Sequence, residues 1–190
     1  EWADYKEGDE ELRYGGCYVV TYGAPEDGLV VISLNNTAEA WNYETDFKLY
    51  QQVWLVEQLE KYSDYKWKVV QLHEGLMTAG DHTNDGEVDV MRDELPPIFA
   101  KYKVDLVLQG HDHVYTRTMA YYYGEGENGK TVNRNEKFEY EDGINWSLEP
   151  DGTYYITINY SGTKSYPPVE YDTSKIFPGT SPVNGKKMSQ

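Results

Sequence analysis

Apolar and polar positions along this chain switch between two periods. The runs CYVVTYG (17–23) and GLVVISLNN (28–36) are rich in β-branched residues and are joined by Ala24-Pro25-Glu26-Asp27, a hairpin pattern. From 45 to 62 the apolar positions Leu49, Val53, Val56 and Leu59 fall at helical spacing, with Thr45 or Asp46 available as N-cap. WKVVQLH (67–73) is a short apolar run and predicts a buried strand. The segment 74–87, EGLMTAGDHTNDGE, is polar and glycine-rich and predicts a loop without a regular element. A second helix is expected over 88–102, kinked or split in two by Pro96 and Pro97. VDLVLQG (104–110) predicts another strand, and YTRTMAYYYG (115–124) and GTYYITINYSG (152–162) predict two more. Residues 1–15 are charged and poorly periodic, which reads as a loop or a frayed end, and the tail after 166 is proline-rich and reads as extended chain outside the core.

Strand–helix–strand units with short apolar strands imply packed α/β layers with some parallel pairing. Ligands in such sheets gather beyond the carboxyl ends of the strands. His73 ends one predicted strand, and Gly110-His111-Asp112-His113 ends the next. Three imidazoles are therefore expected to converge on one rim.

Composition narrows the partners. Of 190 residues, 17 are Lys or Arg and 33 are Asp or Glu, a formal net charge of −16. Such a balance argues against a nucleic-acid or anionic-membrane surface, where clustered basic residues supply the affinity. No apolar run approaches the length of a membrane span. The single cysteine, Cys17, excludes an internal disulfide framework and a cysteine-based zinc site. Asn-x-Ser/Thr triplets start at Asn35, Asn145 and Asn159; the first and last lie on or beside predicted strands and read as chance.

The chain has four histidines, and two of them sit in His111-Asp112-His113. Imidazole is a common neutral ligand for zinc, iron and manganese. A His-x-His pair in an extended strand sends its rings to opposite faces; after a glycine turn that alternation breaks, and both rings can reach adjacent metal ions. The plain alternative is a pair of histidines in a surface turn. Here a family resemblance enters. LVLQGHDHVYTRT (106–118) resembles the G-H-x-H signature of calcineurin-like metallophosphoesterases, in particular their purple-acid-phosphatase-like branch. WKVVQLHEGLMTAGDHTNDGE (67–87) is similar to that branch's strand-histidine-loop element, and the preceding helix and the late strand DGTYYITINYSGTKSY (151–166) also match in order. The resemblance implies the C-terminal half of a four-layer α-β-β-α metallophosphatase sandwich with mixed sheets. On this likeness residues 1–166 form the C-terminal part of the catalytic domain and 167–190 the extended tail.

The family's chemistry is phosphate mono- or diester hydrolysis at two metal ions (iron, manganese or zinc), which polarise a phosphate oxygen and acidify a bound water. The resemblance implies that His73 and His111 bind one metal and His113 the other. His82 matches a loop histidine that can protonate the leaving group, with a solvated loop residue as the alternative. Arg117 reads as a strand arginine in an ion pair more readily than as a substrate contact. The family's earlier Asp-x-His, Gly-Asp and Gly-Asn-His-Asp/Glu motifs have no counterpart here; Gly8-Asp9 and Gly80-Asp81 stand in the wrong context. Three imidazoles without those carboxylates leave two cations under-coordinated. The expectation is therefore a fragment of a longer enzyme, inactive alone, whose partner is the missing N-terminal half, or which dimerises or exchanges domains. His73-Glu74-Gly75 resembles bacterial secreted or wall-attached members, implying an extracellular or cell-wall location. The alternative is a non-catalytic metal-binding or cell-surface adhesion module with the same fold; a Ser-His-Asp hydrolase is disfavoured because no Gly-x-Ser-x-Gly occurs.

Overall fold

The computed structural model describes residues 2–3, 17–37, 50–118, 120, 122–124, 131–133, 137–148, 151–164, 167 and 169. The predicted hairpin is present. β2 (Tyr18–Tyr22) and β3 (Leu29–Ser33) run antiparallel in register from Tyr18↔Ser33 to Tyr22↔Leu29. Residues 1–15 were expected to lack structure, yet β1 (Trp2–Ala3) pairs antiparallel with Val20 and Val19. The open edge of β2 recruits a two-residue strand that its own sequence does not signal.

Three of the pairings that follow are parallel. β4 (Trp67–Glu74) lies beside β3, β5 (Leu106–Gly110) beside β4, and β11 (Tyr154–Ile158) beside β5. β6 (Tyr115–Arg117) closes the far edge antiparallel to β11. The result is one mixed seven-stranded sheet in the order β1-β2-β3-β4-β5-β11-β6. Two small antiparallel pairs stand apart from it: β7 (Tyr122–Gly124) with β8 (Thr131–Asn133), and β9 (Lys137–Glu141) with β10 (Ile144–Leu148).

The helices cover one face. α1 (Val53–Lys61) buries Leu55 and Leu59, and a π-helical turn at 50–52 leads into it; the expected caps Thr45 and Asp46 lie outside the described residues. α2 (Gly86–Lys101) is a single helix through Pro96 and Pro97, not two pieces. Two prolines remove two backbone donors, but Val88, Met91, Leu95, Pro96 and Phe99 are all buried. Packing of that stripe outweighs the lost local bonds. The helix ends in a Schellman pattern: Val104 N–H donates to Phe99 O at 2.9 Å and Lys103 N–H to Ala100 O at 3.2 Å, with Lys103 left-handed at φ 55°. The segment 74–87 was expected to hold no regular element, but Glu74 ends β4, Asp81–Asn84 forms a 3-10 turn and Gly86 opens α2, leaving 75–80 and Asp85 as loop.

Burial separates the two sheet faces. Val30, Ile32, Val70, Leu72, Val107 and Tyr155 point toward the helices and belong to the buried core. The opposite face carries a cross-strand row, Val20, Val31, Val69, Leu106 and Tyr154, each only half-buried. Exposed Tyr22, Trp67, Tyr115 and Ile158 extend that face. Soluble chains seldom leave one whole side of a central apolar sheet partly wet. Among the described residues, no helix is long and apolar enough to cross a membrane.

Candidate active site

The carboxyl ends of β4 and β5 are neighbours, so His73 and His111 arrive at one rim. His73 Nε2 and His111 Nδ1 lie 3.1 Å apart, with ring centroids at 5.0 Å. Gly110 lies close beside His73: a Cβ there would stand 3.3 Å from the His73 carbonyl oxygen, slightly tight, and 3.5 Å from its Nδ1, an ordinary contact. Beyond Gly110 the chain turns sharply, with Asp112 N–H donating to Gly110 O at 2.7 Å and His111 left-handed at φ 63°. A non-glycine residue in that region is strained, and the turn holds it where its ring meets His73.

His82 joins the pair from the 3-10 turn. Its ring centroid is 4.0 Å from that of His111. Its Nδ1 lies 2.8 Å from Asp85 Oδ2, so the carboxylate accepts from Nδ1–H and Nε2 is left to take or give a proton. Two contacts seat this turn. The buried Asp112 carboxylate accepts from His82 N–H at 3.3 Å, and the buried Arg92 guanidinium donates to the carbonyls of Leu76 and Thr83. Burial, then the neighbouring His82 and His73 imidazoles, hold the His111 pKa below the ordinary histidine value. A depressed value keeps its ring a neutral lone-pair donor.

His113 has different partners. Its ring stacks on Tyr160 with centroids 5.9 Å apart, and its Nδ1 faces Lys164 O at 3.1 Å. Arg117 places its guanidinium 5.4 Å from the centre of the Tyr154 ring, a cation–π contact. Of the four histidines, the geometry gathers His73, His111 and His82, and holds His113 through Tyr160 and Lys164.

Imidazole nitrogens on one divalent ion at about 2.0–2.1 Å stand about 2.9–3.4 Å from each other, depending on octahedral or tetrahedral angles. The His73–His111 separation falls in that interval, and it is equally a hydrogen bond when one ring carries N–H. Among the described residues, no group of three or more His, Cys, Asp or Glu side chains could hold a metal ion. The pair fits one edge of a coordination polyhedron, whereas a complete dinuclear centre does not fit the described residues by themselves.

Two side chains central to this rim carry no motif. Asn36, buried, bonds to the backbone of His73 and Glu74. Gln109, buried, accepts from Leu76 and Met77 N–H and donates to Met77 O, fixing the start of the histidine loop. An amide following an apolar run was the sole signal either offered.

A mixed sheet with helices on one face and paired imidazoles at its carboxyl rim defines a layered α/β architecture. Residues 2–115, more than half of the chain, match the family described as calcineurin-like phosphoesterase, and the chain belongs to that family. It is 27% identical over 150 residues to purple acid phosphatase 23 of Arabidopsis thaliana, covering 78% of this chain and 24% of the relative. An uncharacterized protein of Mycobacterium tuberculosis is 35% identical over 71 residues, 36% of this chain and 13% of its own length. The fold also resembles purple acid phosphatase from yellow lupin (Lupinus luteus) seeds, with TM-score 0.56 and 16% identity, covering 83% of this chain and 25% of that one. The chain thus spans a quarter or less of these proteins.

Proposed function

We propose that the chain is the later part of the catalytic domain of a phosphoesterase of the bacterial purple-acid-phosphatase-like branch, hydrolysing phosphate mono- or diesters. The observation that carries this reading is the meeting of His73 Nε2 and His111 Nδ1 at the carboxyl ends of adjacent parallel strands. In this reading His73 and His111 are ligands of one metal ion and His113 of a second, and the ions are iron, manganese or zinc. The carboxylate ligands come from the rest of the parent. His82, with Nδ1–H held by Asp85, offers Nε2 for proton transfer to the leaving group. The half-wet sheet face supports a second layer contributed by the parent's other half; dimerisation or domain exchange covers the same face when that half is absent. An extracellular or wall-associated location goes with this branch.

The test is hydrolysis of an aryl phosphate with manganese or zinc, by the 190-residue chain alone and with the remaining half of the parent supplied in trans. Negligible turnover alone and turnover on reconstitution are expected. Full activity from the chain alone shows that its ligands are misassigned, and none on reconstitution removes the hydrolase reading. The absence of a three-donor group among the described residues favours a second reading, a non-catalytic metal-binding or adhesion module. Metal titration of the reconstituted protein separates them: two coupled sites mean hydrolase, one weak site or none means module.

A further inference from the structure

We propose that Asn36 is the positioning residue that aims His73 at His111. The proposal rests on the phosphoesterase reading for its purpose, though not for its geometry. β3 ends at Ser33, whose partner is Gln71, so β4 continues past its neighbour through Leu72 to His73 and Glu74. On its other side β4 pairs Gln71 with Leu108 and Glu74 with Gly110, three steps against two. One extra residue is thus accommodated between Gln71 and Glu74, a register shift across Leu72 and His73. On the side where β3 has ended, His73 and Glu74 present two successive N–H groups.

The Asn36 amide takes that strand's place. Its Oδ1 accepts from His73 N–H at 2.8 Å and from Glu74 N–H at 3.0 Å, while its Nδ2 donates to Glu74 O at 2.9 Å. The side chain reproduces the donor and acceptor pattern of a partner residue. It is itself buried, with Nδ2 also 3.5 Å from Met91 Sδ on α2. The amide is therefore anchored to the helix layer while it holds His73 and Glu74. His73, in contrast, is exposed, so packing does not set its direction; its backbone does. With two N–H groups fixed to one oxygen, the His73 ring leaves the strand beside Gly110 and meets His111.

Asparagine-36 variants of the full chain test this. Asn36→Leu keeps the branch at Cγ without polar atoms, and Asn36→Ser is the smaller replacement should the leucine variant not fold. Metal-free imidazole nitrogen–proton spectra read the His73–His111 contact directly, and the remaining backbone amide spectrum reports whether the fold is intact. Expected is loss of the ring-to-ring contact with changes confined to the register shift and the rim. Persistence of the contact in either folded variant overturns the proposal. Zinc titration of wild type, both variants and His73→Ala follows, with an expected loss of affinity of about tenfold or more in the Asn36 variants. A wild-type chain that shows the contact but no His73-dependent zinc binding defeats the metal-edge reading and leaves the role of Asn36 standing.

Discussion

Replacing Gly80 with alanine is expected to unseat the His82 turn from the G-H-x-H turn. Gly80 has an extended backbone, φ −93° and ψ 176°, so an alanine there is not strained in itself. The difficulty is space. A Cβ at Gly80 would stand 2.1 Å from Asp112 Cγ and Oδ1 and 2.6 Å from Asp112 Cβ. Asp112 is 1% exposed, and its Cβ is one bond from the backbone, so no flexible end can swing aside. Either the turn moves or Asp112 does, and both break the bond from His82 N–H to the carboxylate. Overpacking of this kind costs about 1–3 kcal/mol, and a hydrogen bond to a charged group adds about 1.5 kcal/mol or more. The sum, about 2.5–4.5 kcal/mol, lowers the melting temperature by roughly 2–4 °C per kcal/mol in a chain of this size. Gly86→Ala is the matched control, because a Cβ there meets nothing within 4 Å and the position opens α2. It should be neutral or raise stability by up to about 1 kcal/mol. Urea titrations followed by tryptophan fluorescence measure both. A Gly80→Ala chain within 0.5 kcal/mol of wild type (about the scatter of a neutral surface change) refutes the claim that Asp112 and Gly80 interlock.

Further expectations follow from single groups. Lys103→Gly should stabilise the chain by about 0.5–1 kcal/mol, since it relieves a left-handed non-glycine residue at the end of α2, and thermal melts check the sign. Burial pushes the Cys17 thiol from 9.0 up to about 11, so iodoacetamide at pH 8 should alkylate the folded chain about a hundredfold more slowly than the unfolded chain; equal rates contradict the burial of Sγ beside Gln51. Burial also raises the Asp105 pKa above 3.8, although Lys68 N–H donates to its carboxylate at 2.8 Å. A raised acid pKa means that the native carboxyl holds its proton longer than the unfolded one. The resulting destabilisation grows as pH rises above 3.8 and vanishes below it. Asp105→Asn should therefore be more stable than wild type at neutral pH and match it in acid, as pH-dependent denaturation curves can show.

The apolar runs determined most of the sheet and both helices, because burial periodicity is local information. The runs at 17–23, 28–36, 67–73 and 104–110 became β2 to β5, and the placing of His73 and of Gly110-His111 at strand ends followed from where those runs stop. The likeness to phosphoesterases was legible for a similar reason: a signature of consecutive residues survives in the order of the letters. Local reading failed where tertiary contacts outvoted it. Pro96 and Pro97 stay inside α2 because its stripe is packed on the sheet, and Trp2–Ala3 became a strand because β2 had an open edge. The single polar residues that aim the histidines were beyond reach. Asn36 acts on His73 across 37 residues, and Asp112 on His82 across 30. Asn36 has no periodic or motif neighbour to mark it, and Asp112 fills the unspecified position of G-H-x-H, since a hydrogen bond between distant segments leaves no pattern in either one. Sequence alone therefore placed His73 and His111 at strand ends, while the sheet order and the long-range hydrogen bonds decided that their rings meet.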